Sequence, residues 1–151
     1  MKKPTQSLLL FLCLLIALFY FSGCKKDGNR VNITLHNKPL STIQSYIKGK
    51  WKLEYEKGGI CWNCTNYIDN FYWTFGSNNK VQQTYNDTLI TETSIVWKWD
   101  KPANTDYTYI MNFSDKRGYP YFYNVYEIKN DTLILTDAGY DPVAYYFTKS
   151  K

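Results

Sequence analysis

From Gly49 onward, apolar and polar residues alternate with a period of two. Trp51, Leu53 and Tyr55 are interleaved with Lys50, Lys52, Glu54 and Glu56, which predicts a strand with one dry and one wet face. Phe71, Trp73 and Phe75 mark a second strand, and Gly76, Ser77, Asn78 and Asn79 form a turn cluster after it. Residues 81–85 predict a third strand and Asn86-Asp87 a turn. Ile95, Trp97 and Trp99 define a fourth, which the segment around Pro102 ends. Tyr107, Tyr109, Met111 and Phe113 give a fifth. Gly118 and Pro120 bracket a turn into a sixth strand over 121–128. Asn130-Asp131 leads into a seventh over 133–136, and residues 138–142 turn into an eighth over 143–148. Residues 57–68, with Gly58, Gly59, Cys61 and Cys64, read as a loop.

Before Gly49 the period is different. Ile43 and Ile47 lie four apart, and Ser41 precedes Gln44 by three. That spacing predicts a short helix over 41–48 with a capping box at its start and Gly49 as its stop. Eight short strands, tight turns and one short N-terminal helix predict an all-β fold, an antiparallel barrel or sandwich. The run Asn-Asp-Thr-Leu-Ile occurs at both 86–90 and 130–134. It reads as one hairpin turn chemistry used twice, because Asn and Asp tolerate left-handed backbone.

The N-terminal end has its own pattern. Lys2 and Lys3 precede an unbroken apolar run over residues 8–21. A membrane-crossing helix needs roughly 20 apolar residues, so this shorter run predicts a signal segment over residues 1–23. Residues 25–40, with Gly28, Asn29, Asn32, Asn37 and Pro39, have little periodicity and read as part of a tether over 24–40. The domain then spans 41–151. Loss of residues 1–23 leaves 128 residues with 16 basic and 13 acidic side chains, a net +3 against +5 for the whole chain. Scattered lysines at that charge are no nucleic-acid footprint. Lys25, Lys26 and Arg30 next to the signal segment favour anionic headgroups.

Phe21-Ser22-Gly23-Cys24 resembles the lipobox of bacterial lipoproteins, although Phe21 is larger than the aliphatic residue of that pattern. The resemblance implies cleavage before Cys24 and acylation of Cys24 by palmitate-like chains, so that the protein is held at a membrane by its anchor. It implies an address in the cell envelope, at the outer membrane. Gly49-Lys50-Trp51 at the head of the first strand, together with the strand count, resembles the lipocalins, which implies an eight-stranded antiparallel up-and-down barrel. The phrases over 47–53 and 133–149 are similar to lipocalin-like lipoproteins of Bacteroidota. In that family the tryptophan closes one end of the barrel beneath a basic side chain. This resemblance implies that role for Trp51 and Lys149.

Cys61 and Cys64 form a Cys-x-x-Cys motif. A redox-active pair needs a helix after the first thiol, and no helical pattern follows. A metal site needs two more ligands, and the sole histidine is His36. A local disulfide or a free pair remains. No nucleophile-base pair and no glycine-rich phosphate loop stand in the chain, so we expect no enzyme, no catalytic residue, no metal and no cofactor. The 15 Tyr, 8 Phe and 5 Trp carry the remaining signal. They either fill the barrel or line a pocket for a small apolar or aromatic ligand. By alternation the walls of that pocket would be Leu53, Tyr55, Phe71, Trp73, Trp97, Tyr109, Met111, Tyr123 and Tyr145, entered past the loop over 57–68. Should the barrel be filled, its outer aromatics point instead to an envelope protein partner.

Overall fold

The computed structural model describes residues 30–103 and 105–150. The segment 1–23, Cys24 and residues 25–29 lie outside the described residues. Ten strands and one helix make up the rest: β1 (Ile33–Thr34), α1 (Leu40–Ile47), β2 (Gly49–Gly58), β3 (Cys61–Phe75), β4 (Lys80–Tyr85), β5 (Thr88–Ser94), β6 (Val96–Asp100), β7 (Thr108–Ser114), β8 (Pro120–Lys129), β9 (Thr132–Asp137) and β10 (Val143–Lys149). They form one antiparallel sheet in the order β5-β4-β3-β2-β10-β9-β8-β7-β6, with β1 paired to β8. The sheet curls into a half-barrel. Its two edge strands, β5 and β6, are consecutive in the chain and meet at the buried Ile95.

The expectation of eight strands is corrected to ten. β5 is the first addition. Its apolar Leu89 and Ile90 are exposed and Thr91 is its buried position, so hydrophobicity does not mark it and its ladder with β4 does. The second is β1, whose partners are Ile128 and Glu127. Leu35, just beyond it, is fully buried in the core. The tether reading of 24–40 therefore fails from Val31 onward, because a lone leucine has no period to betray it.

The loop expected over 57–68 is instead the long hairpin of β2 and β3, turning at Gly59 and Ile60. Residues 63–67 are all exposed, so no dry face imposes alternation there. Gly58 has φ +108°, and a Cβ on it would stand 2.8 Å from the Pro142 carbonyl oxygen. Only glycine fits.

Helix α1 starts one residue earlier than its polar pattern predicts. Pro39 occupies the N-cap, and no side-chain cap bond forms. The Ser41–Gln44 capping box is thus absent. The Gln44 amide donates to Asn79 Oδ1 at 2.6 Å instead, tying the helix to the β3–β4 turn. Ile43 and Ile47 are buried under the sheet. The Trp51 indole N–H donates to the Ile47 carbonyl at 2.6 Å, satisfying one of the orphan acceptors of a helix end. Lys149 Nζ stands 5.2 Å from the centre of the Trp51 ring. This end of the half-barrel is the plugged one. The Asn-Asp turns, with φ 46° and 60° at Asn86-Asp87 and 50° and 63° at Asn130-Asp131, have both central residues left-handed, as right-twisted hairpins require.

Candidate functional site

The centre of the half-barrel is an aromatic cluster built around Trp73. Its ring lies 5.2 Å from Tyr123, 5.2 Å from Phe147 and 5.5 Å from Phe113. Leu53, Met111 and Tyr123 are buried with it, whereas Phe71, Trp97, Tyr109 and Tyr145 pack against this cluster while partly exposed. Eight of the nine expected wall residues therefore share one interior. Most of them fill it, and Tyr123 and Tyr145 also border a pocket.

Tyr55 is the exception. The ladder between β10 and β2 shifts register between Tyr146 and Phe147, pairing Phe147 with Leu53 but Tyr146 with Tyr55. That one-residue bulge turns Tyr55 away from the face of Leu53. Its ring stacks on Tyr146 at 4.4 Å, outside the core cluster.

The pocket lies at the end opposite α1, and its volume is about 480 Å³. Tyr121, Phe122 and Tyr123 of β8, Tyr145 of β10 and Asp137 with Gly139 after β9 line it. The rings of Tyr121 and Tyr123 are parallel to within 9°, and Tyr145 meets Tyr123 edge-on at 87° and 5.2 Å. Asp137 shapes the rim from within, accepting hydrogen bonds from Gly139 N–H at Oδ1 and from Val143 N–H at Oδ2. Asp115 does the same for the facing turn, accepting from the Arg117 and Tyr119 amides. A smaller pocket of about 360 Å³ adjoins it across Asp141, between the rim and Lys57, Gly58, Gly59 and Asn63 of the hairpin.

Burial pushes the Tyr123 hydroxyl far above its usual range, and the neighbouring Tyr145 and Tyr121 add to the shift. Burial, then Asp137 and Glu56, push Tyr145 up to about 12. Both hydroxyls are neutral at physiological pH and serve as donors or acceptors without charge. Asp137 and Asp141 are the charged side chains that line the mouth. Aromatic faces, neutral hydroxyls and carboxylates together suit a ring-bearing ligand that is neutral or cationic and disfavour an anion.

Alternation found Tyr123 and Tyr145. It missed Tyr121, Phe122, Asp137, Gly139 and Asp141. Asp137-Ala138-Gly139 reads as a turn, and the signal that it is a rim is the aspartate ahead of a glycine, able to accept from the amides beyond it.

Cys61 and Cys64 are joined by a disulfide within β3, with Cα atoms 5.3 Å apart. Both are exposed. Among the described residues no group of three His, Cys, Asp or Glu side chains is placed to hold a metal ion, and no helix is long and apolar enough to cross a membrane. Compared with family models, curated proteins and solved structures, the chain matches none.

Proposed function

We propose that this chain is a non-enzymatic lipoprotein of the cell envelope, anchored through acylated Cys24, whose lipocalin-like barrel binds a small apolar or aromatic ligand in the pocket opposite α1. The observation that carries the reading is the wall of that pocket: Tyr121, Tyr123 and Tyr145 converge on about 480 Å³. That volume lies inside the range of small-ligand sites. Ligand and core share Tyr123, so binding is read at the mouth and not deep in the interior. The indole of Trp51 beneath Lys149 supports the lipocalin-like part of the reading. The short apolar run ending at Cys24 supports the anchor.

Two experiments test it. Incorporation of a labelled fatty acid should occur in the native chain and vanish in Cys24→Ser; equal labelling of both removes the anchor. Ala138→Trp fills the pocket without touching the core and should abolish binding of uncharged aromatic probes. Unchanged binding in that variant removes the site.

A second reading rests on the β2–β3 hairpin. Its turn residue Ile60 is 99% exposed and Tyr67 is 77% exposed. Apolar side chains displayed so far from a core favour a docking role toward another envelope protein. Ile60→Asp should weaken such a complex and leave probe binding intact.

A further inference from the structure

The two ends of the half-barrel differ in charge. The ladders bring the starts of β2 and β4, the ends of β3, β8 and β10, and helix α1 to one end. Arg30, Lys48, Lys50, Lys129 and Lys149 are all exposed there, with Lys38 half-buried nearby. Two acids at this end are held in ion pairs and a third is tied to a backbone amide, and the exposed bases outnumber those left. Asp131 accepts from the Val31 amide, Glu92 is paired with Lys80 at 3.1 Å, and Asp100 with Lys98. Asp106, on the β6–β7 connection, is exposed. The opposite end, with its turns at Asn86-Asp87, 115–119 and 138–142, presents Asp87, Asp115, Asp137 and Asp141 against Lys57, Lys116 and Arg117.

The described chain begins at the basic end. Val31 and Asn32 are held to the β8–β9 turn by Asp131 and by the Asn130 amide. Six residues lie between Cys24 and Val31, a span of at most about 25 Å when extended. Strand β2 alone, with 10 residues, is longer, at roughly 33 Å. An anchor on so short a leash brings the α1 end to the headgroups first.

We infer that the plugged α1 end is a membrane-facing surface, and that Lys48, Lys50, Lys129 and Lys149 dock it onto anionic phospholipid headgroups with the ligand pocket held outward. The inference rests on the anchor proposed above for its orientation, and on the structure for its charge. Basic side chains near a negative leaflet add attraction one by one, within a Debye length of the surface. The acidic mouth is repelled by the same field.

The full-length acylated protein is reconstituted into vesicles of phosphatidylcholine alone or of an equal mixture with phosphatidylglycerol. Lysines are then labelled with a membrane-impermeant acylating reagent and read by peptide mass spectrometry. On the anionic vesicles Lys48, Lys50, Lys129 and Lys149 should lose labelling several-fold relative to Lys57 and Lys116, and regain it in high salt. The exposed pair Lys48→Glu and Lys129→Glu should weaken the preference for anionic vesicles roughly tenfold or more, while an unchanged melting temperature shows the fold intact. Equal labelling at both ends, or protection of Lys57 and Lys116 instead, overturns the inference. Acylated Cys24 without lysine protection removes the docking face and leaves the anchor. Salt-sensitive protection without acylation removes the anchor and leaves the face.

Discussion

Removing the Trp73 indole would empty the centre of the molecule, since Phe75, Phe113, Tyr123 and Phe147 all pack against it. Trp73→Ala should cost about 3–5 kcal/mol in denaturant unfolding. Tyr55→Ala should cost about 1 kcal/mol, because its ring stacks on the outer face of the sheet. Equal losses would mean that Tyr55 belongs to the interior after all. Tyr145 gives a pH dependence. Its folded hydroxyl is pushed up to about 12 from an ordinary 10.0, so the folded state favours the protonated form. That contribution is complete below pH 10 and is lost as pH rises from 10 through 12. Tyrosinate absorbance and near-ultraviolet circular dichroism should therefore change together in that window; tyrosines that all ionise near 10 without loss of dichroism would contradict the burial. At this scale the sequence made Leu53, Trp73, Met111 and Tyr123 legible through alternation alone. Tyr55 escaped because a bulge leaves no mark in residue type.

Elements were legible in proportion to how one-sided their burial is. β2, with Trp51 and Leu53 buried against wet Lys50 and Lys52, declares its faces. β5 does not, because its one buried side chain is the polar Thr91, and the outer half of the β2–β3 hairpin does not, because residues 63–67 are exposed on both faces. The start of α1 was hidden by Pro39, which takes the cap position that Ser41 and Gln44 suggest for themselves. The disulfide belongs to the hairpin and not to the core, so its loss should be mild. Cys61→Ser with Cys64→Ser should lower stability by no more than about 2 kcal/mol, the loop-closure entropy of so small a ring. The native protein should show no activity in an insulin-reduction assay. A larger loss, or reductase activity that the double variant lacks, would give the pair a role beyond bracing the hairpin.

For the whole molecule, the interior and the pocket are consecutive parts of one aromatic column. Trp73 touches Tyr123, Tyr123 meets Tyr145, and those two tyrosines form the floor of the mouth. A barrel of this width is filled by side chains over most of its length, which leaves room for a ligand only where the strands end. α1 closes the other end, where Val31 is held, with six residues between it and Cys24 in the sequence. The resulting molecule is polar along its axis, basic at the α1 end and acidic at the mouth. The most direct test is native mass spectrometry of the protein purified from the cells that make it, compared with Ala138→Trp. The account predicts a small non-anionic, ring-bearing compound bound to the native protein and absent from the variant. A native protein that carries no bound compound, or carries the same one with its mouth filled, would contradict it.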